Sequence, residues 1–91
     1  MEVIITKSYM KDLRFLPREI ISAADAVVCL LEAAPSLQDS GVDYKKLSGQ
    51  KKTENYYRIR IGNYRIGCLL IQPAIILITI FSRQDDYKGF P

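Results

Sequence analysis

The stretch from residue 56 to 67, Tyr-Tyr-Arg-Ile-Arg-Ile-Gly-Asn-Tyr-Arg-Ile-Gly, constrains the fold more than any other part of the chain. Its residues alternate on both sides of a Gly-Asn pair, which is typical of two antiparallel strands joined by a two-residue turn. The turn falls at Gly62-Asn63, and it predicts these cross-strand partners: Ile61 with Tyr64, Arg60 with Arg65, Ile59 with Ile66, and Arg58 with Gly67. One face of the hairpin is therefore expected to be apolar and the other cationic.

The cationic face is the first candidate functional surface. Like charges placed directly opposite each other on a sheet cost roughly 0.2–1 kcal/mol, so folding alone gives no reason to pair Arg60 with Arg65. An anionic partner would supply the reason. The planar guanidinium matches phosphate oxygens in a bidentate way, which favours nucleic acid as the partner class. The alternative is an ordinary exposed sheet face.

The basic residues of the chain are unevenly distributed. The net charge is only +3, but eight of the thirteen Lys and Arg residues lie between Lys45 and Arg65 or at Arg83, where Glu54 is the only acid. Clustering of this kind is the footprint of an anion-binding surface. We therefore predict that the loop lysines contact a nucleic acid, the alternative being a solvated loop: Lys45, Lys46, Lys51 and Lys52.

Several classes of protein are disfavoured by composition. The 91 residues suit a single domain, 1–91, and contain no histidine, so the commonest general base and metal ligand is missing. Cys29 and Cys68 lack the Cys-x-x-Cys spacing of zinc or redox sites, and we expect both to be buried, reduced thiols. No signal peptide or membrane span is recognisable. We expect a cytoplasmic protein that uses no metal, cofactor or membrane.

The remaining segments predict an α+β fold in the order β-α-α-β-β-β. A strand is predicted over residues 2–6, a helix capped by Ser8 over 9–16, a second helix over 18–33 and an inner strand over 74–81. Residues 36–55 are expected to form a long connection. The sheet should be largely antiparallel, with both helices on one face and the arginines on the other. Alternation further suggests inward-pointing core positions: Tyr56, Tyr57, Tyr64 and Cys68.

The sequence resembles the RelE/ParE family of bacterial toxins from type II toxin–antitoxin systems, especially its RelE-like branch. The resemblance is carried by four segments: Lys46-Leu47-Ser48-Gly49, residues 57–66, residues 82–87 and Phe90-Pro91. It implies a microbial-RNase-like fold, binding to the ribosome, cleavage of the mRNA there, and an antitoxin partner.

The resemblance also implies a set of catalytic residues. By position, Arg58 and Arg60 match basic residues of the family's first hairpin strand, and Arg65 matches the arginine of the second. Arg83 and Tyr87 match the arginine and the aromatic residue that follow the last strand, and Lys88 beside them is a further predicted RNA contact. The chain departs from many relatives at Phe81-Ser82, where they have Gly-His, and in having arginine rather than lysine at 58 and 60.

The implied reaction is attack by a ribose 2′-OH on its adjacent phosphate. We assign Arg65 and Arg83 to stabilising the charge of the five-coordinate phosphorane, and Arg58 and Arg60 to orienting the phosphate. A guanidinium does not give up its proton, so the general base stays open among Lys51, Lys52, Glu54, Tyr87 and a ribosomal RNA group. The alternative functions are a ParE-like inhibitor of DNA gyrase and a non-catalytic RNA- or protein-binding module.

Overall fold

A computed structural model of the chain describes residues 1–49, 54–85 and 90, with Asp85 described by its backbone alone. The elements follow in this order: β1 (Glu2–Ile5), α1 (Lys7–Arg14), α2 (Arg18–Ala33), β2 (Tyr44–Lys46), β3 (Tyr56–Ile61), β4 (Tyr64–Ile71), β5 (Ala74–Ser82) and a 3₁₀ turn (Arg83–Asp85). The predicted α+β class and the two N-terminal helices are confirmed.

The strands form one five-stranded sheet in the order β1-β5-β4-β3-β2. The pairs β2–β3, β3–β4 and β4–β5 are antiparallel, and β1 runs parallel to β5. The predicted hairpin register is confirmed at all four pairs, from Ile61 with Tyr64 to Arg58 with Gly67. Gly62 has a φ of 59°, a left-handed conformation that favours glycine and explains its place in the turn.

Both helices pack on one face of the sheet, where the core lies. Tyr9 of α1 and Leu31 of α2 are fully buried against strand residues such as Ile59, Ile66 and Leu77. The predicted cap at Ser8 is wrong, because α1 begins after Thr6, whose hydroxyl accepts a hydrogen bond from the Tyr9 backbone N–H at 3.1 Å. Thr6 can serve because its backbone is extended, as an N-cap requires.

The sequence prediction missed strand β2, since residues 36–55 were expected to form a connection throughout. Tyr44, Lys45 and Lys46 pair with Ile59, Arg58 and Tyr57 of β3, and they form one edge of the sheet. Three residues are a short edge strand, and lysines on an exposed edge discourage pairing with other chains. Because Lys45 and Lys46 are both polar, the segment has no apolar alternation from which a strand could be predicted.

The sheet face opposite the helices is only partly cationic. Tyr56 was expected to point inward, but it lies on this face, with its ring edge-to-face against Phe90 at 5.6 Å between centroids. Phe90 is buried, and its ring lies directly on Gly67. An aromatic contact therefore covers the centre of this face, and the arginines occupy the end nearer the Gly62-Asn63 turn.

The expectation of two buried thiols is half right. Cys68 is fully buried in β4, whereas Cys29 is exposed on α2. Cys29 lies outside the apolar stripe of its helix, which faces the sheet through Ala24, Val27 and Leu31. Within the described ranges, no helix combines the length and the apolar character needed to cross a membrane.

Candidate phosphate-binding site

The basic side chains of the hairpin form two rows across the sheet. Arg58 lies between Lys45 of β2 and Gly67 of β4, and Arg60 lies opposite Arg65. Arg58, Arg60 and Lys45 are exposed, and Arg65 is half-buried. Because same-face residues of a strand are spaced by roughly 6.6 Å, the two rows are separated by about the distance between successive phosphates of an extended nucleic-acid strand.

The turn holds both of the arginines that were assigned to charge stabilisation. The Nη1 atom of Arg65 donates to the carbonyl oxygens of Gly62 at 3.2 Å and Tyr64 at 2.9 Å. The backbone N–H of Arg83 donates to the carbonyl oxygen of Asn63 at 2.6 Å. The carbonyl groups of Gly62 and Tyr64 thus hold the Arg65 guanidinium over the turn. The carbonyl group of Asn63, between them, holds the start of the 3₁₀ turn. Among the described residues, both bonds of the Arg65 side chain come from Nη1, so Nε and Nη2 are the donors that a phosphate can use.

Arg60 is partly balanced by a carboxylate. Its Nε lies 3.9 Å from Oδ2 of Asp43, and its backbone N–H donates to the Asp43 carbonyl oxygen at 2.8 Å. The two side chains are 64% and 69% exposed. Exposed pairs of this kind contribute little, so a phosphate can compete with Asp43 for the guanidinium. The acid was not linked to this site by the sequence, because it precedes a strand that had not been predicted.

The two ends of the cationic surface carry small cavities. One, of about 480 Å³, is lined by Asn63, Tyr64, Ser82, Arg83 and Gln84. The other, of about 170 Å³, is lined by Lys45, Lys46, Leu47, Ser48 and Arg58. Sequence reasoning missed the polar residues Asn63, Gln84 and Ser48, because nothing in their spacing distinguishes them from ordinary turn residues.

Of the remaining predicted residues, the structure describes only Lys46 and Glu54. Lys51, Lys52, Tyr87 and Lys88 lie outside the described residues. Lys46 pairs with Tyr57 and, together with Lys45 and Arg58, lines the smaller cavity of the cationic surface. Glu54 precedes β3 and is four residues from Arg58, roughly 13 Å along an extended chain, which places it far from Arg65 and Arg83.

Two groups of the core, Cys68 and Tyr9, have a clearly raised pKa. Burial raises the pKa of Cys68 to about 12. Burial and, to a smaller extent, the charge of Asp25 raise the pKa of Tyr9 to about 12 as well. Both groups stay protonated at neutral pH, so neither supplies a base. The described arginines are donors of the kind that suits a phosphate, and neither Cys68 nor Tyr9 is a candidate for the general base.

Comparison with known proteins assigns the chain to a family. A model for the ParE toxin of type II toxin–antitoxin systems (parDE) matches residues 3–87. The curated protein Toxin RelE3 of Methanocaldococcus jannaschii is 36% identical over 91 residues, covering 100% of both chains. The chain belongs to the RelE/ParE superfamily. It is a toxin of a type II toxin–antitoxin system.

Solved structures agree with this assignment. A chain of the RelB-RelE antitoxin-toxin complex from Methanococcus jannaschii aligns with a TM-score of 0.79 at 34% identity, over 97% of this toxin and 99% of that chain. A chain of the archaeal RelE-RelB complex from Pyrococcus horikoshii OT3 aligns with a TM-score of 0.71 at 26% identity, over 90% and 93% of the two chains. The predicted RelE-like fold is confirmed.

Proposed function

We propose that this toxin is an endoribonuclease that cleaves mRNA on the ribosome, in the cytoplasm, without a metal ion. The observation that carries the proposal is the pairing of Arg60 with Arg65 beside the turn to which the backbone of Arg83 is hydrogen-bonded. Like charges are paired there at a cost to folding, and guanidinium groups are the donors best matched to a phosphate. A ribose 2′-OH is an internal nucleophile, so the reaction requires positioning and charge stabilisation rather than an activated water.

In the proposed reaction the 2′ oxygen forms a bond to the adjacent phosphorus atom and the bond from phosphorus to the 5′ oxygen breaks. The 2′ proton passes to a general base, and the departing 5′ oxygen takes up a proton. The products are a 2′,3′-cyclic phosphate and a 5′-hydroxyl end. Arg65 and Arg83 stabilise the phosphorane, and Arg58 and Arg60 hold the phosphate in place.

The general base comes from outside the described surface. Lys51, Lys52, Tyr87 and a ribosomal RNA group remain candidates, and Tyr87 or Arg83 would protonate the leaving oxygen. Glu54 is disfavoured by its distance from Arg65 along β3. A base supplied by the ribosome would make cleavage depend on translation, which agrees with the exposed and incomplete character of the described site.

We further propose that a cognate antitoxin binds this toxin and neutralises it. The relatives aligned above come from RelB-RelE complexes. A basic, exposed sheet face is also complementary to an acidic segment that folds on binding.

The test is induced expression of the toxin and mapping of mRNA 5′ ends by ribosome profiling. Arg65→Gln and Arg83→Gln should each lower cleavage by about 10²–10³-fold, the usual cost of removing a preorganised electrostatic group. Arg18→Gln is the matched control, because Arg18 is exposed on the helical side. Cleavage that persists in both site variants would contradict the assignment.

The second candidate function is inhibition of DNA gyrase. It is favoured by the description of the matching family model, which is that of a ParE toxin. The same cultures test it, because growth arrest with intact mRNA and relaxed plasmid DNA indicates gyrase. An expressed protein that causes no growth arrest would instead favour a non-catalytic binding module.

A further inference from the structure

Two neighbouring cavities lie at the end of the sheet that carries the Gly62-Asn63 turn. The first, of about 480 Å³, is the cavity with Arg83 described above. The second, of about 490 Å³, extends to α1, and the two cavities share the lining residues Tyr64 and Ser82, which pair directly in the sheet. We call the second cavity the end pocket, and it is lined by these residues: Lys11, Asp12, Phe15, Leu16, Tyr64, Ile80, Phe81 and Ser82.

The lining of the end pocket is mainly apolar and contains three aromatic rings. Its polar groups are the side chains of Lys11, Asp12 and Ser82. The Asp12 carboxylate is held in place, since its Oδ2 atom accepts a hydrogen bond at 2.6 Å from the hydroxyl of Thr79, a fully buried residue. An apolar cavity with a few fixed polar groups suits a flat heterocycle whose edge carries hydrogen-bonding atoms.

Phe15 is the most accessible aromatic residue of the end pocket. It follows α1 directly and is 78% exposed, whereas Phe81 is 8% exposed. The Arg14 guanidinium lies 4.8 Å from the centroid of the Phe15 ring, a cation–π contact that orients the ring. An exposed ring beside cationic side chains is the arrangement on which proteins stack unpaired nucleobases.

We propose that the end pocket binds an unpaired nucleobase of the RNA whose phosphate lies at Arg65 and Arg83. This inference rests on RNA being the substrate, as in the proposed function, but not on its cleavage. Because the two cavities share Tyr64 and Ser82, a nucleotide with its phosphate in the first cavity can place its base in the second. The base stacks on Phe15, and its polar edge faces Asp12 and Ser82.

A base in the end pocket would give the toxin a means of distinguishing one RNA sequence from another. Arginines that contact phosphates position the strand but carry no sequence information, because every nucleotide has the same phosphate. Discrimination requires contacts to the bases, which in single-stranded RNA can be turned outward and stacked on aromatic side chains. Continuity with the cavity of Arg83 and the positive charge of Lys11 favour a nucleic acid as the occupant.

The experiment measures binding of a short single strand to the free toxin. The 2′-hydroxyls of the strand are replaced by hydrogen, so it cannot be cleaved but keeps its bases and phosphates. The parent strand is compared with strands in which one base at a time has been removed. Loss of one particular base should lower the affinity of the wild-type toxin at least about fivefold, the usual contribution of a base stacked on an aromatic ring.

Substitution of Phe15 should have the same effect as removal of that base. Phe15→Ala should lower the affinity for the parent strand by a similar factor, and removal of the same base should then cause no further loss. Met10→Ala is the matched control, because Met10 is 54% exposed on α1 but does not line the end pocket. This variant should bind every strand as the wild type does. Thermal unfolding of each variant checks that the fold is retained.

Four outcomes would overturn the proposal. The wild-type toxin could fail to bind the parent strand at low salt, or removal of each base could have the same effect in the wild type and in Phe15→Ala. Met10→Ala could lose as much affinity as Phe15→Ala. Phe15→Ala could weaken binding of the cognate antitoxin without affecting the strand, which would make the pocket a protein interface. A toxin that shows the expected binding but leaves mRNA intact on induction would contradict the proposed cleavage alone, so the two failures are distinguishable.

Discussion

The contact between Gly67 and Phe90 gives the sharpest stability prediction. A Cβ atom added at Gly67 would lie 2.9 Å from Cδ1 and Cε1 of the Phe90 ring and 3.0 Å from Cε2. Three ring atoms at that distance cannot all be accommodated by a small rotation, so Gly67→Ala must displace the ring. Gly67 lies inside β4 and has no positive φ, so alanine itself fits the backbone there.

The magnitude follows from two opposing terms. Phe90 is only 8% exposed, and burial of a phenylalanine side chain contributes about 1.5–3 kcal/mol. Alanine in place of glycine inside a strand gains about 0.5–1 kcal/mol, because the unfolded chain loses conformational freedom. Gly67→Ala should therefore lower the free energy of unfolding by about 0.5–2.5 kcal/mol, which is a drop in Tm of about 2–20 °C for a domain of this size.

The effect of Gly67→Ala on the free energy of unfolding should change sign once the Phe90 ring is removed. In a Phe90→Ala background the added methyl group meets no aromatic ring, so Gly67→Ala should raise the free energy of unfolding by about 0.5–1 kcal/mol. Urea denaturation of the four proteins forms a double-mutant cycle whose coupling energy should be about 1.5–3 kcal/mol. An effect of the same sign and size in both backgrounds would refute the placement of Phe90 on Gly67.

Other predictions concern the buried polar groups. Among the described residues, the buried Tyr9 hydroxyl has no hydrogen-bond partner, so Tyr9→Phe should raise the free energy of unfolding at pH 7 by about 1–3 kcal/mol in urea titrations. Because burial raises the pKa of Cys68 from 9.0 and of Tyr9 from 10.0, each to about 12, the unfolded chain ionises first. The contribution of these two groups to the free energy of unfolding should be complete below about pH 9 and fall as the pH rises towards 12. Tyr9→Phe should flatten that fall between pH 10 and 12. A thiol reagent should modify exposed Cys29 in the native toxin and reach Cys68 only on unfolding. Equal modification rates for the two thiols would contradict the burial of Cys68.

The hairpin was predictable because every determinant of its register is local. Alternation fixes which residues share a face, and Gly62-Asn63 fixes where the chain reverses. Strand β2 was not predictable in the same way. Its three residues include Lys45 and Lys46, which carry no apolar alternation, and the strand is held by pairing with β3 rather than by its own propensity.

The aromatic contact on the cationic face illustrates a second limit. Alternation cannot point both Tyr56 and Tyr57 inward, since adjacent strand residues face opposite ways. The glycine at position 67 was consistent with a close approach by another group. Only the tertiary structure identifies that group as Phe90, which is 23 residues later in the sequence.

Two surfaces of the fold share one physical feature, an unfavourable pair of like charges, which sequence analysis recognised in only one of them. On β3 and β4, Arg60 faces Arg65 at a cost to the sheet, and on α1, Lys7 precedes Lys11 at a cost to the helix. The first pair was conspicuous because a period of two and a defined turn identify direct neighbours. The second was not, because two lysines four residues apart are common on solvated helices, and they become informative only when Asp12 is seen bonded to Thr79 and Met10 is seen exposed between them. Unfavourable charge pairs therefore lie on both sides of the sheet, and only the pair on the arginine face could be recognised from the sequence.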